Sequence, residues 1–286
     1  MAFNVNEVII DRVRSLTCHD LETKKMFMRL TSLEDPSLQT SAEGEEIVDA
    51  IGALITTLYR AKKATFSASN SLMSFDLAAA QYGAKKQVAD STNKVTDYAY
   101  EVLKVETETT GEGESKVTVV KPIKLAHAPK KVMDAEGNMV STLKWIYAIE
   151  NNEVGTPYAV GGAASEDEAV VSDDGVITLP TSVKSGKIYV EYQYETENAV
   201  RVVNRASEFP EACSVVIYAY FRDVCNENKI YSGKIICPKA KLNPESVELA
   251  LTSTGKHPFE FVVNRDYCAE EGDDVLFEIV LASDKI

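Results

Sequence analysis

Few residues in this chain could ligate a metal or act as a nucleophile. There are five cysteines (Cys18, Cys213, Cys225, Cys237 and Cys268) and three histidines (His19, His127 and His257). A zinc site needs three or four Cys or His ligands converging on a tetrahedron. No CxxC pair occurs, the histidines are far apart, and the adjacent Cys18 and His19 would point to opposite faces of a strand. The odd cysteine count argues against a disulfide framework, so free and mostly buried thiols are expected. A Ser-His-Asp set would have to use one of the three histidines. His127 in LAHAPKK and His257 in GKHPFE both adjoin proline-marked turns, and they read as satisfied or solvent-exposed turn residues. The acid runs Glu166-Asp167-Glu168 and Asp173-Asp174 supply oxygen ligands but lack the EF-hand spacing, so they read as solvated loop charge. No P-loop, HExxH or GxSxG occurs. Gly111-Glu112-Gly113 lies in an acidic stretch that would repel phosphate. Nor does the sequence mark out a carboxylate pair of the kind that cleaves glycosides. No catalytic, metal or cofactor-binding residue is expected, and the chain reads as a non-enzyme.

The charge balance narrows the partners. Thirty Lys and Arg stand against forty-four Asp and Glu, a net charge of −14. Proteins that grip nucleic acid do so with basic residues that displace counterions from phosphates; this chain has the opposite sign. No run approaches the ~18 apolar residues of a membrane span, and the N-terminus MAFNVNEVIIDRVR has no basic segment followed by a long apolar one. The expectation is a protein made and kept in a cytoplasm, without a membrane partner. At 286 residues, two domains or one domain with a large insertion are expected.

The elements that would position any site are mostly strands. In IYVEYQYE (188–195), Ile188, Val190, Tyr192 and Tyr194 share one face and the intervening residues the other, which is the period of a half-buried strand. SVVIYAYFR (214–222) is apolar on both faces, as a central strand would be. Further strands are expected at 116–120, 144–149, 247–251, 259–263 and 275–281. Turns are expected at Glu136-Gly137-Asn138, Asp173-Asp174-Gly175, Ser185-Gly186 and Ser232-Gly233. One short helix is expected from Ser74, a capping residue, to about Gly83, and a helical turn at Ile9–Arg14. Residues 45–60 fit either a helix face or a β-hairpin on periodicity alone. The β-branched and aromatic run Ile55 to Tyr59 packs well on a pleated surface. The acidic stretch ETETTGEGE (106–114) reads as an exposed linker. Residues 115–197 beyond it have the size of a β domain, with Trp145 in the strand-like KWIYAI most simply a core residue and, as the alternative, a ligand-stacking one.

One resemblance ties these pieces together. Gly52, Ile55, Tyr59, Ala61-Lys62, Phe66, Ala68, Asn70 and Leu72, followed by the Ala-rich segment to Gly83, resemble the N-terminal half of bacteriophage tail-tube and related virion proteins. Ala206–Pro210, SVVIYAYFRDVC, KIYSGKIICPKAKLNPESVELAL, HPFEFVVNRDYC and DVLFEIVL resemble the C-terminal half. The resemblance selects the hairpin for residues 45–60. It implies a mainly β fold, a tail-tube-like sandwich or barrel with one short helix. This discontinuous domain would comprise residues 1–106 and 199–286, with an inserted immunoglobulin-like β domain at 107–198. It implies no cofactor. The protein would be a virion tail component, assembled in the host cytoplasm into hexameric rings that stack into a tube for DNA ejection. Sheath, terminator and baseplate proteins would be further partners, and DNA would pass without specific binding through a bore that the acid excess keeps from sticking to phosphates. The polar stretch LEDPSLQTSAEGEE (33–46), with Leu33, Glu34, Asp35, Glu43, Glu45 and Glu46, is the candidate loop for contacts between rings. The other function open to such a sequence is a capsid-decoration, head-associated or baseplate protein that binds capsid or host surface through the inserted domain.

Overall fold

The structure, a computed structural model, describes residues 7–110, 117–224, 229–245, 247–249, 251–252, 255–265 and 274–282. The chain divides into two compact units, one of residues 1–86 with 202–286 and one of residues 87–201. The second unit thus begins at 87 rather than at 107. The reason is the strand Val95–Lys104, whose ten residues pair along their whole length with a strand of the second unit.

The first unit opens with β1 (Val8–Asp20), β2 (Met26–Leu30), β3 (Leu33–Val48) and β4 (Leu54–Asn70), followed by α1 (Phe75–Tyr82). Ile9–Arg14, expected as a helical turn, is instead the first half of β1 and pairs antiparallel with a later strand. Residues 33–46, expected as a loop, are almost the whole of β3. The hairpin reading of 45–60 holds: β3 and β4 join through a turn at 49–53. Asp49 builds that turn, its carboxylate accepting from the amides of Ile51 and Ala53 at 2.9 and 2.8 Å. Ser74 caps α1, its hydroxyl accepting from the Leu77 amide at 3.2 Å. Gly83 ends the helix with φ +66°, and a Cβ there would lie 2.2 Å from the Phe209 carbonyl oxygen, so only glycine fits.

The second unit holds β5 (Gln87–Val88), β6 (Val95–Lys104), β7 (Thr107–Thr110), β8 (Val117–Val120), β9 (Ile123–Lys124), β10 (Lys131–Met133), β11 (Met139–Ser141), β12 (Trp145–Glu150), β13 (Glu153–Val160), β14 (Glu168–Val171), β15 (Val176–Thr178), β16 (Lys187–Thr196) and β17 (Val200–Arg201). Its main sheet runs β6-β16-β12-β13-β14-β15-β9, antiparallel except for the parallel β13–β14 pair. Alternation in β16 buries Ile188, Val190 and Tyr192 against Leu143, Ile146 and Ile177. Trp145, expected in that core, lies on the opposite face and is 49% exposed. It is two residues from Tyr147 and out of phase with the buried Ile146. The turns at 136–138, 173–175 and 185–186 form, with Gly137, Gly175 and Gly186 at positive φ.

The chain returns to the first unit with β18 (Ala212–Asp223), β19 (Ile230–Leu242), β20 (His257–Val263) and β21 (Glu278–Ala282). The sheet order β2-β1-β18-β19-β20-β4-β3, with β21 also on β19, curls into a nearly closed barrel. Its core is built from alternating residues such as Leu16, Phe66, Val215, Ile217, Phe259 and Phe261. Ser232-Gly233, expected as a turn, lies inside β19. A Cβ on Gly233 would sit 2.0 Å from the Phe221 ring, so the glycine makes room for an aromatic side chain on the next strand. In the stretch 247–251, expected as a strand, the described residues 247–249 and 251 form none.

Candidate assembly surfaces

The β3–β4 hairpin is two structures in one. Ala64 to Asn70 of β4 pair with β20 as well as with β3, and Ala64, Phe66, Ala68 and Asn70 are buried in alternation. Leu54 to Lys63 pair with β3 alone, and every side chain there except the half-buried Thr57 is exposed. The facing half of β3, from Gln39 to Val48, is exposed throughout. This outer ribbon carries Ile47, Val48, Leu54, Ile55 and Leu58 in the open, with Ile51 at 90% and Tyr59 at 74% exposure. A lone two-stranded hairpin is marginal in water. Burying a Leu or Ile side chain contributes about 1.5–3 kcal/mol. A partner that covered Leu54, Ile55 and Leu58 would therefore supply several kcal/mol on a frame the barrel already holds.

The ribbon also has an unused edge. Among the described residues, β3 ends the sheet path and pairs with β4 alone, and its other edge is long and polar. The charged residues Glu43, Glu45 and Glu46 are the kind that guard such an edge against indiscriminate pairing. At the other end of the sheet, β2 pairs only with Leu16–His19 of β1. The first half of β1 and the short β21 thus expose Ile9, Ile10, Ile279 and Val280.

The six expected contact residues fall into two groups. Leu33 packs partly against the barrel core. Glu34 and Asp35 gather around Lys256, with Asp35 Oδ2 3.3 Å from its Nζ. The Lys256 ammonium and the Ser71 hydroxyl both bind the Glu34 carboxylate and lower its pKa. Glu43 and Glu45 lie farther out, paired with Lys63 at 3.0 Å and Arg60 at 3.4 Å, and Glu46 is exposed beside them. The sequence marked the opposite run, Ile55 to Tyr59, as a strand but not as bare, because only the structure shows that neither side of the ribbon is buried.

The residues first considered for chemistry are placed otherwise. Cys18, Cys213 and Cys237 are free, buried thiols on the neighbouring strands β1, β18 and β19. Burial pushes the Cys18 thiol well up and the Cys237 thiol to about 11, so they stay protonated and unreactive. Cys225 and Cys268 lie outside the described residues. Among the described residues, no group of three or more His, Cys, Asp or Glu side chains could hold a metal ion. His127 is exposed and stacks on Tyr194 at 4.0 Å. His257, expected in an open or satisfied turn, starts β20 and is buried. Its Nε2 is 2.6 Å from Gln81 Oε1, Gln81 in turn donates to the Pro258 carbonyl at 3.0 Å, and His257 Nδ1 has no hydrogen-bond partner among the described residues. Burial lowers the His257 pKa. A cleft of about 480 Å³ beside α1 holds charged groups, Asp76 and Lys86 among them, but these two pair with each other. Among the described residues, no helix is long and apolar enough to cross a membrane.

Residues 8–265 match the model of the YomU/Tube protein family, from the first strand of the barrel through β20 and across both units. No curated protein matches the chain.

Proposed function

We propose the following role for this chain, which belongs to the YomU/Tube protein family of phage tube structural proteins: it is the self-assembling subunit of a phage tail tube. Copies join through the outer β3–β4 ribbon of one and an open strand edge of the next. A head-to-tail contact of this kind closes into a ring where the rotation permits. Rings, hexameric by family resemblance, stack into a conduit through which DNA leaves the particle, with sheath, terminator and baseplate proteins as neighbours. The middle unit is read as an immunoglobulin-like insert, on the strength of its size and its antiparallel β6-β16-β12-β13 run. The chain works by association and carries out no catalysis. The net charge of −14 suits a bore that must not hold phosphates.

The observation that carries this reading is the outer ribbon, apolar residues on a two-stranded arm that no other strand covers among the described residues. Electron microscopy of the purified full-length protein tests it. Rings or tubes are expected from the native chain. The double substitution Leu58→Asp with Tyr59→Asp should leave only monomers. A native protein that stays monomeric at every concentration, or a doubly substituted one that still forms tubes, would reject the proposal.

A further inference from the structure

The second unit presents an aromatic face with no role in that assembly scheme. In the four-stranded run β6-β16-β12-β13, the residues out of phase with the core line up in rows across the sheet. Tyr147 lies opposite Tyr189, and Tyr189 opposite Val102; Glu191 lies opposite Tyr100. Tyr189 is the centre, its ring 6.3 Å from that of Tyr147 and 6.4 Å from that of Tyr100. Trp145 extends the platform, and Tyr100 is 73% exposed. A shallow groove of about 510 Å³ beside Trp145 is walled by hydrogen-bonding groups, including Thr142, Lys144 and Gln193. Large rings grouped on an open face, with Tyr100 and Trp145 exposed and Tyr147 and Tyr189 half-buried, mark a recognition surface.

The charges on the face choose the partner. One row beyond Tyr189, Lys187 and Lys104 stand directly opposite each other on β16 and β6. Like charges in that position repel, and among the described residues neither lysine forms an ion pair. This happens in a unit whose net charge is −8 (eleven Lys and Arg, nineteen Asp and Glu in residues 87–201), where acidic partners are plentiful. An anion would relieve that pair. A protein interface of this kind is disfavoured, because interface cores exclude Lys and Glu and here Lys144, Glu191 and Gln193 lie among the rings. A nucleic acid strand could stack on the rings, but its dense phosphates would face the unit's acid excess. A sugar chain meets both demands. The apolar C–H faces of pyranose rings lie flat on aromatic rings, hydroxyls reach the polar groups between them, and sparse acidic substituents reach two lysines. Successive rows repeat every ~6.8 Å along the strands, so the face is long enough for several linked sugars.

We propose that the aromatic face of the second unit binds a sparsely charged anionic polysaccharide, with Tyr147, Tyr189, Tyr100 and Trp145 stacking on sugar rings and Lys104 with Lys187 taking a carboxylate or phosphate. This does not depend on tube assembly. Trp145 is the chain's single tryptophan, so its emission reports directly on the face. The full-length protein is titrated with lightly substituted carboxymethyl dextran, with dextran as the neutral form of the same polymer and with poly-dT as a charged polymer without the pyranose faces. A saturable emission change is expected with carboxymethyl dextran, and binding to dextran at least tenfold weaker. Lys104→Gln with Lys187→Gln should bring carboxymethyl dextran down to the dextran level. Tyr189→Ala, or Tyr100→Ser as a second surface variant, should weaken both sugar polymers at least tenfold. The proposal fails if neither sugar polymer changes the emission, or if poly-dT binds as tightly as carboxymethyl dextran. It also fails if Tyr100→Ser abolishes self-association, which would show that a second copy covers the face.

Discussion

The two units expose apolar residues in different ways. In the barrel unit they lie on strand ends and edges: Ile9 and Ile10 on β1, Leu54 to Tyr59 on β4, Ile279 and Val280 on β21. There one backbone edge lacks a strand partner among the described residues, and an incoming strand can pair with it whatever its side chains. In the middle unit they lie on the broad face of a sheet whose interior strands are already paired on both sides. Only side chains can make contact there. Edges suit repetition of one chain, since any copy brings the same backbone; faces suit a ligand of particular shape and charge.

Substitutions can sharpen or break this contrast. The largest effect should come from the barrel core. Phe261→Ala, beside Phe259 and Phe66 where the β3–β4 arm is anchored, should lower the unfolding free energy by about 3–5 kcal/mol, read by urea denaturation, and weaken assembly with it. Gly233→Ala forces a methyl group against the Phe221 ring. It should cost about 1–3 kcal/mol as an overpacking change, unless Phe221 finds another rotamer. Leu58→Asp with Tyr59→Asp should change monomer stability by no more than about 0.5 kcal/mol while removing assembly. If it unfolds the monomer instead, the ribbon is part of the barrel core and the contrast fails.

Acid should act on the barrel through His257. Its pKa in the fold lies below the ordinary 6.5 because burial opposes the charge. Below pH 6.5 the unfolded chain takes up a proton that the folded one refuses, so this group's contribution to stability falls as pH drops from 6.5 towards its folded pKa. Thermal melts from pH 7.5 to 5 should show the decline, and His257→Gln should flatten it. The smallest effect belongs to the exposed Glu43–Lys63 pair. A double-mutant cycle there should give about 1 kcal/mol or less.

How much of this was legible follows from the same contrast. β16 and β18 were readable because each meets a defined interior, in strict alternation or as an apolar run. The helix was readable from its two punctuating residues, Ser74 and Gly83. β3 and the start of β1 were not, because a strand that buries little on either side shows no period, and the polar, proline-bearing β3 looks like a loop. Gly233 misled because the signal for a turn is also the signal for room beside a ring. Trp145 misled because a lone tryptophan suggests a core, and the neighbour that fills that core is Ile146. The apolar half of the candidate assembly surface was in the quoted motif, Ile55 to Tyr59, but only pairing without burial reveals it as bare.

The three sulfhydryls sealed between β1, β18 and β19 make the barrel its own gauge of breathing. A maleimide cannot reach Cys18, Cys213 or Cys237 while those strands stay zipped. The speed of alkylation therefore tracks how often the cylinder wall parts. The same groups in free and polymerised protein would show whether lateral neighbours clamp that wall shut.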